Sequence, residues 1–179
     1  YIREGGNNAH ISNSNISDSR ATNMGGAIFI FGNFAEISDS YINGTQAKAS
    51  SGFTTNNLGG AIYIRGTDAK VGATIVDAHA YNGGAIYING DDLAIDEANF
   101  TNNSADKDGG AIYIDGESSS ITHANFTGNT AEYGGAIYTE GNYLTIDVAY
   151  FNNNNATSGS AIYKKEGTTE YRISNVIFD

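Results

Sequence analysis

The sequence predicts an all-β protein that folds as a parallel β-helix, a solenoid with about 25 residues per rung and roughly six to seven rungs. The first observation is a recurring hexapeptide close to GGAIYI, which starts at Gly25, Gly59, Gly83, Gly109, Gly134 and Gly159. The successive steps are 34, 24, 26, 25 and 25 residues. Self-similarity at a fixed period of this length is typical of stacked repeat architectures.

The second observation is the local chemistry, which favours strands over the helices that also build solenoids of this period. The apolar patches are only four or five residues long and are rich in Ile, Tyr and Phe. Asn, Gly, Ser, Thr and Asp separate them, and these residues disfavour helix and mark turns. Three short strands joined by three turns therefore account for one rung.

Three apolar positions follow one another in each rung, and the hexapeptide is the third. The first position is occupied by Ile11, Ile37, Ile95, Ile121, Ile146 and Ile173. The second lies eight or nine residues before most hexapeptides, at Ile16, Ile75, Phe100, Phe126 and Phe151. Stacked rungs place equivalent residues about 4.8 Å apart in parallel columns. We therefore expect Phe100, Phe126 and Phe151 to form an interior stack.

An asparagine follows each of these phenylalanines by three residues, at Asn103, Asn129 and Asn154. Stacking aligns the three side-chain amides, so each can bond the next rung or the turn backbone. We expect a structural role for this ladder, because turn asparagines commonly serve local backbone groups.

The hexapeptide itself contributes two columns, because neighbours along a strand point to opposite faces. One assignment puts the first isoleucine of each hexapeptide in the core: Ile28, Ile62, Ile86, Ile112, Ile137 and Ile162. The opposite face then carries an outward aromatic ladder: Phe29, Tyr63, Tyr87, Tyr113, Tyr138 and Tyr163. The inverse assignment, with Ala and Tyr inside, remains open at this point.

Composition and charge exclude several classes of partner. The chain has 179 residues with no Cys and no Pro, so neither disulfides nor a cysteine-based metal site can brace it. Nine basic residues against 20 acidic ones give a net charge of -11, which argues against nucleic acid and anionic membranes as partners. No apolar run approaches the roughly 20 residues of a membrane helix. We expect contact with a membrane only through an anchor outside this segment.

The pairing of GGA-I with F-x-x-N resembles the repeats of chlamydial polymorphic outer-membrane proteins. It is carried by Phe100-Thr-Asn-Asn103, Phe126-Thr-Gly-Asn129 and Phe151-Asn-Asn-Asn154. The sequence is also similar to adhesin-like surface proteins of methanogenic archaea. These families imply a right-handed parallel β-helix displayed on the cell surface, with adhesion as the usual role. The first rungs depart from the pattern, since Ile16-Ser-Asp-Ser19 and Ile42-Asn-Gly-Thr45 replace F-x-x-N. The resemblance brings no catalytic or metal-binding residue to this chain.

Two candidate binding features remain. The aromatic ladder would offer exposed flat rings on which sugars can stack, beside polar groups that bond their hydroxyls. Its alternative is a purely structural role, since stacked side chains of neighbouring strands also stabilise a sheet. The second feature is the long rung, whose extra residues lie between Ile42 and Gly59 and include Phe53 in a polar setting. Such insertions form loops that often bind ligands, although neutral insertions cost little stability.

Catalysis is the main rival class, because many parallel β-helices act on acidic polysaccharides. Asp91-Asp92 is the only adjacent acidic pair, and it follows Gly90 in a turn. His10, His79 and His123 occupy different positions in their repeats, so stacking does not gather them. We expect no enzyme and no cofactor. Calcium is the one cofactor that the Asp-rich turns leave open, although the nonapeptide pattern of calcium β-rolls is absent.

Together these observations predict that residues 1–179 form a single β-helix segment from a longer surface protein. We expect an extracellular adhesin segment that acts as a rigid solenoid and presents a surface to glycans or proteins of another cell. A purely structural stalk and a polysaccharide-active lyase or hydrolase are the alternatives.

Overall fold

The computed structural model describes residues 6–49, 52 and 54–179, and the strands in these ranges form three sheets. Every pairing between named strands is parallel, as a solenoid requires. The described residues contain no helix, and therefore none of the length and apolarity needed to cross a bilayer. The prediction of an all-β parallel β-helix is confirmed.

The first sheet, named the tyrosine wall after its aromatic column, contains the hexapeptides and has six strands. They are β4 (Ile28–Ile30), β7 (Ile62–Ile64), β10 (Ile86–Ile88), β14 (Ile112–Ile114), β17 (Ile137–Thr139) and β20 (Ile162–Lys164). Another six-stranded sheet, the third wall, consists of β3 (Arg20–Ala21), β6 (Gln46–Ala47), β9 (His79–Asn82), β13 (Ser104–Asp108), β16 (Thr130–Tyr133) and β19 (Asn155–Ser158).

The phenylalanine wall is the largest sheet, with ten strands. They are β1 (His10–Ser12), β2 (Asn15–Ser17), β5 (Glu36–Asn43), β8 (Lys70–Val76), β11 (Ala94–Asp96), β12 (Asn99–Thr101), β15 (Ser120–Thr127), β18 (Thr145–Asn152), β21 (Arg172–Ser174) and β22 (Ile177–Phe178). Both apolar positions that precede each hexapeptide lie on this wall.

The register between rungs follows the sequence repeat. Ile86 pairs with Ile62 on one side and with Ile112 on the other, and the same relation continues to Ile162. The long step also keeps register, because Ile28 pairs with Ile62 across its 34 residues. Six strands in each of two walls agree with the predicted number of rungs.

The core contains the isoleucine column, so the first assignment of the hexapeptide holds. Ile62, Ile86, Ile112 and Ile137 are completely buried, and Ile28 is nearly so. Ile162, in the last strand of the wall, is partly buried and packs against the core. The rings of Phe100, Phe126 and Phe151 stack inside, with centroids 5.0 and 4.7 Å apart.

The alanine of the hexapeptide also faces the core, which simple alternation does not predict. Ala85 and Ala111 are fully buried members of the core cluster, like the isoleucines that follow them. The backbone N–H groups of Ala85 and Ile86 both donate to the carbonyl of Ala111, each over 2.9 Å. Two successive residues therefore share one acceptor, and the strand gains regular alternation only after this point.

The paired glycines are required by two different steric conditions. Gly109 adopts φ +67°, a left-handed conformation that a side chain disfavours. Gly110 has an ordinary φ, but a Cβ there would lie 2.0 Å from the carbonyl oxygen of Gly135 in the next rung. The close approach of rungs at this corner therefore excludes any side chain.

The asparagine ladder connects three rungs in the interior. Asn103 and Asn129 are fully buried. Asn103 accepts from Ala78 N–H at 3.0 Å and donates through Nδ2 to the Ile75 carbonyl and to Asn129 Oδ1, at 3.0 and 3.1 Å. Asn129 donates in the same way to Asn154 Oδ1 at 2.9 Å. These side chains close the turns after the phenylalanine column and give buried backbone groups their partners.

Candidate functional site

The aromatic column of the tyrosine wall is a continuous stack across six rungs. Adjacent centroids, from Phe29 through Tyr63, Tyr87, Tyr113 and Tyr138 to Tyr163, are 4.9, 5.5, 4.6, 4.9 and 5.4 Å apart. The interplanar angles lie between 7° and 20°. The parallel register brings one ring per rung into line, and the rings then contact each other face to face.

The expectation of exposed ring faces is corrected by this geometry. The side chains point away from the core cluster, yet Tyr63 and Tyr113 are only 6% exposed and Tyr138 is 8% exposed. Phe29, Tyr87 and Tyr163 are half-buried. Each interior ring has its two faces against the rings of adjacent rungs, so no face is free for a sugar. The accessible part of the column is its edge.

A column of mostly polar side chains, the polar column, runs beside this edge and was missed by the sequence reasoning. It consists of the residue that follows each hexapeptide: Phe31, Arg65, Asn89, Asp115, Glu140 and Lys165. Asn89 Nδ2 donates to Asp115 Oδ2 at 2.5 Å, and Lys165 forms an ion pair with Glu140. The Arg65 guanidinium lies 4.6 Å from the centroid of the Phe31 ring. Constant spacing after a recurring motif was the available signal.

The tyrosine hydroxyls and this polar column interact. The hydroxyl of Tyr113 donates to Glu140, which also binds Lys165. Burial, followed by the hydrogen bond to Glu140, raises the pKa of Tyr113 well above its usual value. Burial likewise raises the pKa of Tyr138 to about 12, with the negative charge of Asp108 adding to the effect. The phenols of Tyr113 and Tyr138 therefore stay protonated at physiological pH and can both donate and accept hydrogen bonds.

The acidic pair predicted from the sequence does not join this site. Phe53 lies outside the described residues. Asp91 and Asp92 are exposed in a turn, where Asp91 Oδ1 accepts the backbone N–H of Glu117 at 2.8 Å. Asp91 therefore caps the backbone of the equivalent turn in the next rung.

The three histidines are far apart along the chain, and each lies beside an acid of an adjacent rung. His10 Nδ1 is 3.4 Å from Glu36, His79 Nε2 is 3.0 Å from Asp106, and His123 Nδ1 is 2.9 Å from Asp96. Over the part of the chain that the structure describes, no group of three or more His, Asp or Glu side chains could hold a metal ion. Calcium binding stays a prediction.

The fold and its repeated columns define a class, the parallel β-helix proteins built from short, stacked repeats. Within that class, residues 97–115 and 124–140 match the Chlamydia polymorphic membrane protein repeat. The two stretches contain the phenylalanine-to-asparagine turns and the hexapeptides of consecutive rungs. The chain thus resembles the chlamydial proteins in both repeat and fold. Searches of curated proteins and of solved structures gave no match.

Proposed function

We propose that this segment is part of a surface adhesin, in which a rigid β-solenoid presents its side walls for non-enzymatic attachment to glycans or proteins of another cell. The observation that carries the proposal is the unbroken register of the tyrosine wall. From Tyr63 to Tyr163 each rung presents one phenol edge with one polar side chain beside it, so a ligand with its own repeat would meet a phenol and a polar group several times. Weak contacts repeated in this way add up to useful avidity.

The matched surface-protein repeat supports an extracellular setting for the chain. The net charge of -11 supports a wall that resists non-specific association with nucleic acid and anionic lipid. On this proposal the tyrosine wall recognises ligands through hydroxyl and polar edges, because the ring faces are occupied.

The first test measures attachment. The purified segment, coupled to fluorescent beads, is applied to a broad glycan panel and to cultured cells, with and without added calcium. Saturable binding that soluble segment competes away supports the adhesin. Absence of binding to glycans and cells in both conditions would leave the structural stalk as the better description.

The second test examines the tyrosine wall separately. Tyr87→Phe and Tyr113→Phe remove the hydroxyls and keep the stacked rings, so the fold should be retained. We expect the double variant to bind at least about tenfold more weakly if the phenol edges contact the ligand. Tyr143→Phe is the matched control, since Tyr143 is exposed in a turn away from the column. Equal binding by both variants would remove the tyrosine wall from the attachment surface.

A further inference from the structure

One rung of the phenylalanine wall is a residue shorter than its neighbours. In most rungs a single residue with positive φ forms the bend between the two halves of the wall: Asn13, Asp39, Glu97, His123, Val148 and Asn175. β8 has no such residue, since Ser38 pairs with Gly72 and Ser40 pairs directly with Ala73. Asp39 therefore has no counterpart in the rung that follows it.

The missing residue leaves a groove on the outer surface of this wall. A hollow of about 450 Å³ lies on one side of the bend and another of about 250 Å³ lies on the other. Both are lined by Asp39, Gly72 and Glu97, so the two hollows adjoin each other. Gly72 contributes no side chain, and even a Cβ there would come within 2.9 Å of the Asp96 carbonyl oxygen. The groove is a consequence of the backbone and of one glycine.

Tyr41 lies at one end of the groove and is 43% exposed, in contrast to the rings of the tyrosine wall. Its neighbours in the ladder are Asn15 and Thr74, neither of which is aromatic. A Tyr ring beside small polar side chains is an amphipathic platform suited to the faces of sugar rings. Ser38, Thr74 and Thr122 add hydroxyls to the lining.

Charge selects among possible ligands. Asp39 and Glu97 lie on the two rungs that flank Gly72. At the usual strand spacing, their backbones are about 10 Å apart. Both are exposed, and among the described residues neither carboxylate forms a hydrogen bond or a close ion pair, although the charge of Glu97 acts on His123. Asp96 is already bound by Thr122 and His123, at 2.7 and 2.9 Å. Among the described residues of the lining, Lys70 is the single cation. The groove therefore favours amino groups and rejects acidic polymers.

A basic peptide would match the acidic charge of the groove, but the backbone of the groove floor has no free hydrogen-bonding groups to offer it. The strand groups of the floor already pair between rungs, as in Lys70 N–H to Ala35 and Ala94 N–H to Ala69, at 2.8 and 2.9 Å. A peptide laid in the groove would find no strand edge to complete its own hydrogen bonds. Sugar hydroxyls and amines need only the side chains that line the groove.

From these observations we infer that the groove over β8 binds an oligosaccharide chain that carries free amino groups and no acidic groups. Tyr41 stacks on one sugar ring, while Asp39 and Glu97 hold ammonium groups on neighbouring units. The inference rests on the proposed attachment function and names a site and a ligand class for it.

The experiment is calorimetric titration of the 179-residue segment with the glucosamine hexamer, with the N-acetylglucosamine hexamer, the galacturonate hexamer and hexalysine as comparison ligands. We expect the glucosamine hexamer to bind most tightly, with an affinity that falls as salt rises. Tyr41→Ala, and separately the double variant Asp39→Asn/Glu97→Gln, should each weaken it by at least about tenfold. Insertion of one asparagine between Gly72 and Ala73 should restore the missing bend and abolish binding.

The controls are matched in chemistry and conformation. Asp92→Asn and Tyr143→Ala each change an exposed residue in a left-handed turn outside the groove and should leave binding unchanged. Equal affinity of the groove variants and the controls would overturn the inference. Preference for hexalysine or for the galacturonate hexamer would overturn the ligand class. If the glucosamine hexamer does not bind while the segment still attaches to cells, the groove is wrong and the attachment function stands.

Discussion

At the scale of single residues, the buried side chain of Asn103 hydrogen-bonds to groups of adjacent rungs. Its buried side chain satisfies the N–H of Ala78 and the carbonyl of Ile75 as well as Asn129. Asn103→Ala leaves these buried groups without partners, and each such group costs about 1–3 kcal/mol. We expect a loss of roughly 3 kcal/mol in the free energy of unfolding, measured by urea denaturation.

Asn125→Ala is the control for this change. Asn125 is exposed and donates to Asn99 on the surface of the same wall. Its replacement should change the unfolding free energy by less than about 0.5 kcal/mol. Similar losses for both variants would mean that the interior ladder contributes no more than a surface amide pair.

Asp108 makes stability depend on pH. Burial raises the pKa of its carboxyl group to about 6. Between this value and the ordinary aspartate value near 4, the folded state binds more protons than the unfolded state, so stability falls as pH rises through that window. Above pH 6 the cost of the buried charge is fully present.

Asp108→Asn should remove this cost. We expect a gain of about 1 kcal/mol at pH 7.5, after allowance for solvent screening of a half-buried group, and no gain at pH 4. Thermal unfolding at the two pH values measures the difference. Asp77→Asn, at an exposed turn, is the control and should change the unfolding free energy by less than about 0.5 kcal/mol. A gain for Asp108→Asn that is the same at both pH values would contradict the electrostatic cause.

At the scale of elements, the corner before each hexapeptide strand depends on the absence of side chains. Gly110→Ala would place its Cβ 2.0 Å from the carbonyl oxygen of Gly135 and near Thr130. Since these are backbone atoms of the adjoining rung, the strain cannot be relieved by a side-chain rotation. We expect a loss of about 3 kcal/mol or more in the unfolding free energy.

Ser160→Ala tests the same corner in the last strand of the wall. Ser160 occupies the position of the second glycine there and is exposed. No described rung lies on its outer side, so a side chain is accommodated. Its replacement should be almost neutral in the same denaturation experiment. A large loss there, or a small one at Gly110, would show that rung proximity does not explain the glycine pair.

At the scale of the whole molecule, stability is a sum of rungs and of the contacts between adjacent rungs. Phe126 is fully buried and stacks on Phe100 and Phe151. Phe126→Ala opens a cavity between two interfaces, with an expected cost of about 3–5 kcal/mol. Hydrogen exchange should show the loss of protection concentrated in β12, β15 and β18.

Phe178 belongs to the same column, and the variant Phe178→Ala is the control. Phe178 is 55% exposed and contacts one ring of the stack, Phe151. We expect a cost of about 1 kcal/mol and a change in protection limited to β18 and β22. Uniform loss of protection over all rungs in the Phe126→Ala variant would indicate a single cooperative unit.

The sequence was a good guide to the repeated parts and a poor guide to their surfaces. The period and the apolar spacing predicted the strands, the register and the interior isoleucine and phenylalanine columns. Strict alternation failed at Ala85 and Ile86, because two successive N–H groups bind one carbonyl and both side chains face inward. The polar column beside the tyrosines was not predicted, because its members differ in chemistry although their spacing is constant.

What the sequence by itself determined is the solenoid, since a 25-residue repeat of short apolar patches and turns can bury its apolar side chains only by stacking rung on rung. Only the tertiary structure decided which surfaces are accessible. Rungs lie close enough for Tyr87 and Tyr113 to cover each other's faces at 4.6 Å, so an outward column became a closed stack. The one residue missing from β8 became a groove only because complete rungs lie on both sides of it. Exposure depends on neighbours in space, and a repeat read along the chain does not contain that information.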